Sequence, residues 1–511
     1  MTTASRADAP WAKLTWNEDG TVAAALPLID HCLDVGVAME ALMSGGAWAL
    51  QVTTAAGRPL TAQDYARLAA LAALHDLGKA NRGFQARIDP CKPRVGHTGQ
   101  VAALFYHSKV KVAPAAIALR ELLGAWGANR HFMAVMAHHG MPLAEFRDEP
   151  HKDKSRLSMH HADHWLPEGN DDPGAHVMAL IAAVRNRWPL AWEGGAPLPD
   201  APRFISLFAG LVTLADWMGS DTRRFPVAHP HGAAREALRE EQACDAVATR
   251  GLSPMPTPGG DFHAAFDRTP HGFQQEAAAA DLGAVALIEA ETGSGKTEAA
   301  LWRWLELRRR GEVDGLYFAL PTRAAAVQLQ RRVDDLLKRV WGEGAPKAVL
   351  AVPGYLVAGD TQGQELPGYE VRWDDGEPGG ADDHRWAAER PKNFLAARVA
   401  VGTIDQALLG ALKVKHALFR AGVLSRSLLV VDEVHASDAY MSTLLEYLLD
   451  NHVAVGGKAL LLSATLGAEA RARLLKAPLP SLAEARALPY PALSGRDAPL
   501  RAVTPAARAS K

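Results

Sequence analysis

The chain has 511 residues, a formal net charge of −2, 48% hydrophobic residues and 22% charged residues. A chain of this length holds roughly three domains of ordinary size, and its composition excludes a disordered or fibrous protein. With so little net charge there is no global basic field, so any nucleic-acid site has to come from local basic patches or backbone amides.

Cys32, Cys91 and Cys244 lie far apart and form no CxxC pair. They read as buried small hydrophobes in a reducing compartment, not as a disulfide frame or a zinc ribbon. The stretch 1–15 is polar and alanine-rich, without the apolar core of a secretory signal. No purely apolar run reaches the roughly eighteen residues of a membrane span. The expectation is a cytoplasmic protein with no membrane partner.

Residues 1–224 are rich in alanine, leucine and histidine, with apolar residues at helical spacing, as in Leu28, Ile29, Cys32 and Val35 or Leu68, Leu71, Ala72 and His75. The reading is an all-helical domain. The polar stretch 147–172 is expected as a surface excursion, and its His160, His161 and His164 as surface residues. Proline, glycine and charge then mark 225–261 as a linker. From 262 to 480 short apolar runs alternate with helical stretches: 284–290, 315–320, 398–402, 428–431 and 459–462. Strands alternating with helices predict a parallel sheet covered by helices. The glycine- and acid-rich stretch 359–383 is expected as a long loop, and 481–511 as a tail.

The clearest motif is Ala290-Glu-Thr-Gly-Ser-Gly-Lys-Thr297, between an apolar run and an amphipathic stretch. Strand, glycine-rich turn and helix are the context of a phosphate-binding loop. Thr292, Gly293, Ser294 and Gly295 would wrap backbone amides around the phosphates of ATP. Lys296 would contact the β- and γ-phosphates, and Thr297 would hold Mg²⁺. Downstream, the apolar run 428–431 ends in Asp432-Glu433-Val434-His435. Asp432 would position Mg²⁺ and Glu433 would polarise the attacking water. His435 is read as a coupler between the ATP state and nucleic acid, or as a local hydrogen-bonding residue.

With Ser463-Ala464-Thr465 added, the combination resembles the superfamily-two helicases of the DExH class. That resemblance implies that 320–323 and 401–404 touch a single strand through Thr322, Arg323 and Thr403. It also implies that Gln274 reads adenine, although Gln275 is adjacent and the register between them stays open. The runs 308–310 and 331–332 are expected as solvated helix faces.

The N-terminal part holds a second constellation. His75-Asp76 lies in Leu74-His-Asp-Leu-Gly-Lys79, His138-His139-Gly140 follows in a similar setting, and His31, His97 and Asp216 complete the set. A lone histidine on an apolar face is usually a core residue. The joint set matches the HD phosphohydrolase pattern and is expected to bind metal, imidazole-rich ligation favouring Mn, Fe, Co, Ni or Zn over Mg. Asp76 would be shared between two ions, with a water held by them as nucleophile. Lys79 is read as neutralising charge on a phosphate oxygen, or as an ordinary surface lysine.

An HD nuclease followed by a DExH motor resembles the CRISPR-associated helicase–nuclease of type I systems, the Cas-three family, from about His31 to about Pro491. The resemblance implies ATP-driven 3′-to-5′ travel on single-stranded DNA, metal-dependent endonuclease cutting of that strand in antiviral defence, and recruitment by a guide-RNA surveillance complex. It implies one divalent ion (Fe, Mn, Co or Ni) held by His31, His75, Asp76 and Asp216, and a second held by Asp76, His97, His138 and His139. One departure stands out: the second RecA-like domain expected after the third helicase motif is missing, and Ser494-Gly-Arg496 lacks the flanks of an arginine-finger motif. The chain therefore reads as a fragment, an ended reading frame or half of a split enzyme, with poor ATP turnover on its own. Rival readings are an HD phosphohydrolase acting on nucleotides with a regulatory P-loop part, an inactive DNA- or complex-binding remnant, and a DExH repair helicase with an unrelated helical partner.

Overall fold

Alanine- and leucine-rich segments of the N-terminal part form helices because their caps and apolar spacing agree. The helix Ala62–Ala73 starts at a capping box, Thr61 accepting from the Asp64 amide while the Asp64 side chain accepts from the Thr61 amide. Its face from Leu68 to Leu74 is wholly buried. The computed structural model describes residues 9–141, 161–279, 281–366, 370–373, 383–388, 390–436, 439–496 and 498–503. It divides into two units, Met1–Gly45 with Ala56–Val247, and Gly46–Ala55 with Ala248–Lys511.

The first unit departs from the all-helical reading at its start. Strands β1 (Trp11–Trp16) and β2 (Val22–Pro27) form an antiparallel hairpin ahead of the helix Leu28–Ser44. The hairpin is short and only partly buried, so its periodicity was too weak to read. The main packing partners of Leu28–Ser44 are Ala62–Ala73 and Pro202–Gly219.

The stretch expected as a linker holds the helix Gly232–Ala248, which belongs to this unit. Its Arg235 and Arg239, one turn apart, are about 1% exposed and meet Asp34 and Asp30, also one turn apart on Leu28–Ser44. Of the cysteines only Cys32 is buried, whereas Cys91 and Cys244 are exposed, against the expectation. His161 and His164 are half-buried, and His160 lies outside the described residues.

In the second unit every residue of β3 (Val285–Glu289), β4 (Gly315–Leu320), β9 (Val399–Thr403) and β10 (Ser427–Val431) is buried. Strands buried on both faces are the mark of a parallel sheet covered on both sides. With β5 (Val349–Ala351), β6 (Val357–Ala358), β7 (Thr361–Leu366), β8 (Glu370–Trp373), β11 (Lys458–Ser463), β12 (Ala492–Gly495) and β13 (Ala498–Ala502), the order is β13-β12-β3-β11-β10-β4-β9-β5-β6-β7-β8 among the described residues. The stretch from β3 to β5 is parallel, and both flanks are antiparallel.

The stretch expected as a loop supplies β7 and β8, a polar hairpin with no hydrophobic alternation to announce it, and the expected tail supplies β12 and β13. Helices Lys296–Arg309 and Arg323–Trp341 share a core with Ile288, Phe318, Val401, Val430 and Leu462. Arg308, Arg309 and Arg310 are not a solvated face. Arg308 is buried, Arg309 donates to the carbonyls of Pro258, Gly259 and Gly260, and Arg310 donates to that of Ala278.

Candidate metal centre and nucleotide site

The metal centre is built around one carboxylate. The helix Ala62–Ala73 ends at Leu74, and the chain turns through His75 and Asp76 into a short 3-10 segment, Leu77–Ala80. Gly78 is required there, because a Cβ would lie 1.8 Å from the His97 carbonyl oxygen. That close approach brings the His97 loop onto the His75–Asp76 turn. Asn81 reinforces it, donating to the carbonyls of Gly78 (2.7 Å) and Gly96 (3.0 Å).

Asp76 Oδ2 lies 3.1 Å from His31 Nε2, 3.3 Å from His75 Nε2 and 2.5 Å from Lys79 Nζ. Asp76 Oδ1 lies 3.1 Å from His97 Nε2 and 3.6 Å from His138 Nε2. His75 Nε2 is also 3.5 Å from Asp216 Oδ1, and His139 Nε2 is 3.0 Å from His97 Nε2. Possible ligand atoms of His31, His75 and Asp216 converge within 4.8 Å, as do those of His97, His138 and His139. Asp76 stands between the two groups, and all seven expected residues come together.

The second contacts set the tautomers. His75 Nδ1 donates to the Ala72 carbonyl (3.0 Å) and His138 Nδ1 to that of Val135 (2.8 Å). Each ring then turns its Nε2 inward, the atom a metal ion would take. His75 Nε2, His138 Nε2 and Asp76 Oδ1 are buried without a hydrogen-bond partner. Unpaired buried donors and acceptors are costly, and such a set suits divalent ions with a preference for nitrogen ligands.

Burial holds His31 and His138 down at about 3. Burial also opposes charge on His75, but Asp76 and Asp216 outweigh it and push that group up to about 9. Asp76 is buried too, yet the charges of Lys79, His75 and His97 hold it well below the usual carboxylate range. Burial of Asp216 is likewise outweighed, chiefly by His75.

Lys79 is not a surface residue: it is 9% exposed, and it also donates to the Ala12 carbonyl at 3.2 Å. Three neighbours went unread in the sequence. Thr213 donates to the His138 carbonyl (3.2 Å), Ser220 donates to Asp216 (3.1 Å), and Lys13 donates to the Ser220 carbonyl (3.3 Å). None of them sits in a motif, so no sequence signal marked them.

In the second unit the motifs gather at one edge. Parallel β3, β4, β9, β10 and β11 end respectively at the glycine loop, Pro321-Thr322-Arg323, Thr403, Asp432-Glu433 and Ser463. Ligands of such sheets bind at the carboxyl ends of the strands. Gly293 and Gly295 take φ of 82° and 90°, a region that glycine enters without strain. Lys296 opens its helix and donates to the carbonyls of Ala290 (2.7 Å) and Glu291 (3.2 Å). Thr292, Ser294 and Thr297 flank it in the same loop and first turn. Gln274 is buried and donates to the Gly295 carbonyl (3.1 Å), whereas Gln275 is exposed.

Burial, then the neighbouring Glu433, raises the Asp432 carboxyl. Glu433 stands at φ 53°, and His435 Nδ1 lies 3.2 Å from its carboxylate and 3.0 Å from Ser463 Oγ. A single ring therefore links the Asp432-Glu433 loop to the Ser463-Ala464-Thr465 loop. Of the expected strand-contacting residues, Thr322 and Arg323 are exposed, with Thr322 capping its helix, but Thr403 is buried, its carbonyl accepting from Tyr317. Arg496 is tied to the Leu474 carbonyl and to Asp450.

Fold and site together define an HD-type, histidine-rich cluster suited to metal in a helical unit, followed by an α/β unit with a P-loop-like glycine turn. Residues 11–225 match the family model described as Cas3, HD domain. The CRISPR-associated endonuclease/helicase Cas3 of Thermus thermophilus is 32% identical over 94% of this chain and 53% of its own length. A crystal structure of T. fusca Cas3 has 25% identity and a TM-score of 0.71, over 98% of this chain and 57% of that one. A chain in a structure titled "CRISPR RNA-guided surveillance complex, pre-nicking" shares the fold, with a TM-score of 0.60, 22% identity, and coverage of 96% and 54%. Residues 11–225 are thus a Cas3-type HD domain, and most of the chain is similar to Cas3 proteins. It spans about half the length of the curated relatives it matches. Among the described residues no helix is long and apolar enough to cross a membrane.

Proposed function

We propose that this chain cuts single-stranded DNA at its HD centre, binds ATP and Mg²⁺ at its P-loop, and acts with a guide-RNA surveillance complex in CRISPR defence. The observation that carries the nuclease reading is the central carboxylate: Asp76 is ringed by His31, His75, His97 and His138, with His75 Nε2, His138 Nε2 and Asp76 Oδ1 buried and without a hydrogen-bond partner.

His31, His75, Asp76 and Asp216 would hold one ion, and Asp76, His97, His138 and His139 a second, with Mn, Fe, Co or Ni the candidates. Bound there, such ions supply Lewis-acid stabilisation of the attacked phosphate and acidify water. The chain's own groups prepare that chemistry. The Ala72 and Val135 carbonyls fix the His75 and His138 tautomers, Thr213 steadies the His138 turn, and Asp76 faces both groups at once. Lys79 holds a positive charge against Asp76, where charge on a phosphate oxygen would be countered.

At the P-loop, Lys296 would exchange its two carbonyl partners for β- and γ-phosphate oxygens, and Thr297 and Asp432 would hold Mg²⁺. Gln274, packed on the loop at Gly295, would read the base. Glu433 would orient the water, and His435 would report the outcome to Ser463. ATP-driven travel along the strand and work with a surveillance complex are carried over from the relatives' names and the titled complex.

The test is a time course of labelled single-stranded DNA with Mn²⁺ or Ni²⁺, run beside a nucleotide panel. Strand cutting that chelator and Asp76→Ala both abolish is expected. Cutting unchanged by Asp76→Ala refutes the site, and hydrolysis of nucleotides alone refutes the substrate.

A further inference from the structure

Beside the seven ligating residues and Lys79 stands a second ammonium group, contributed by the hairpin that sequence periodicity did not reveal. The β1–β2 pairing is irregular between Trp11 and Lys13, so strand alternation does not set where Lys13 points. The hairpin lies against the His75–Gln85 segment. The Trp11 ring packs on Phe84 with centroids 4.9 Å apart, and Phe84 meets His97 edge-on at 5.3 Å. The Trp11 amide donates to Gln85 Oε1 (3.0 Å), and Gln85 Nε2 donates back to the Trp11 carbonyl (2.9 Å). Lys79 grips the next carbonyl, that of Ala12. With these ties in place, Lys13 is not needed to dock the strand.

Its ammonium instead reaches the Asp216 end of the centre. It donates to the Ser220 carbonyl at 3.3 Å, and the Ser220 hydroxyl holds Asp216 Oδ1 at 3.1 Å. Lys79 meanwhile occupies the Asp76 end at 2.5 Å. Lys79 has a carboxylate partner, but among the described residues Lys13 forms no ion pair and has one long carbonyl bond for an ammonium that can donate three. A half-buried ammonium that feels Asp216 and Asp76 without pairing directly with either, and that has donors to spare beside a metal-type ligand set, can take an anion that arrives.

Resting on the nuclease reading above, we propose that Lys13 is a substrate-contacting residue of the HD centre, its ammonium donating to a non-bridging oxygen of the phosphodiester being cut. Hydrolysis forms one P–O bond to water and breaks the P–O bond to the departing sugar oxygen, which takes up a proton. Negative charge is redistributed over the non-bridging oxygens on the way, and a positioned cation stabilises it. Lys13 and Lys79 would then flank the phosphate from the two ends of the ligand set, which also favours a polynucleotide phosphate over a neutral substrate.

The experiment compares the full chain with Lys13→Met and Lys13→Arg, loaded with Mn²⁺, on labelled single-stranded DNA. It measures kcat, KM, bound Mn²⁺ per chain and Tm. Lys13→Met is expected to lower kcat about 10–100-fold, the worth of one charge-assisted hydrogen bond, with bound Mn²⁺ and Tm as in the wild type, and Lys13→Arg to regain part of the loss. Wild-type kcat in Lys13→Met overturns the assignment. So does a loss that follows lowered Mn²⁺ content or Tm in both variants, because that marks a structural lysine. If the wild-type chain itself leaves DNA intact, the nuclease reading falls and this assignment falls with it.

Discussion

Replacing Asp34 by Asn tests how the His31 helix is held. Asp34 is fully buried, and Arg235 bonds it at 3.1, 3.0 and 2.7 Å while Arg239 bonds it at 2.9 Å. Burial raises the Asp34 carboxyl even against both guanidinium groups. A raised folded pKa means that protonation favours the folded form. The ionised cluster therefore contributes specificity more than net stability, in keeping with buried ion pairs generally.

Breaking one partner is different, because two buried guanidinium groups lose their shared anion. That costs about 3–5 kcal/mol. For a unit of this size each kcal/mol lowers Tm by roughly 2–4 °C, so a fall of roughly 6–20 °C is expected. Replacing the whole cluster together, Asp34→Leu and Asp30→Asn with Arg235→Met and Arg239→Met, should recover most of the loss, since Asp30 also pairs with Arg239. Calorimetry on the full chain, following the transition of the first unit, reads both. An Asp34→Asn transition within about 1 °C of the wild type would show that the cluster is not buried and paired as described, a shift far below that range.

His138→Ala removes an inward Nε2 and is expected to weaken Co²⁺ binding at least about tenfold, followed by visible absorption; unchanged binding would exclude it as a ligand. Lys296→Ala should weaken ATP binding about 10–100-fold by removing a charge-assisted contact, measured by titration of a fluorescent ATP analogue. His452 is buried and held at about 4, against 6.5 in the unfolded chain. The unfolded chain therefore takes the proton first. The contribution of His452 is complete above pH 6.5 and fades by about 3 kcal/mol as pH falls to about 4. His452→Gln should flatten that acid limb in denaturant melts from pH 7 to 4.

What the sequence made legible follows from what each signal measures. The glycine loop at 290–297 and the acids at 432–433 stand at strand ends, where an apolar run stops abruptly, so both the parallel sheet and the motifs along its edge could be read. His75-Asp76 was legible as a pair, and Gly78 has its reason in the approach of His97. Hydrophobic periodicity failed where burial is polar. The helix Gly232–Ala248 looks solvated, yet its Arg235 and Arg239 are among the most buried large side chains. Lys13 was invisible because its meaning comes from a tertiary neighbour, Ser220, 207 positions away.

The most direct test counts metal. Chain purified without metal, incubated with excess Mn²⁺ and desalted, is assayed for bound ions by elemental analysis beside Asp76→Ala. Because a single carboxylate serves both ligand groups, two ions per wild-type chain and a loss of both in the variant are expected. A wild-type chain that retains none, or an Asp76→Ala chain that retains as many, contradicts the shared-carboxylate centre.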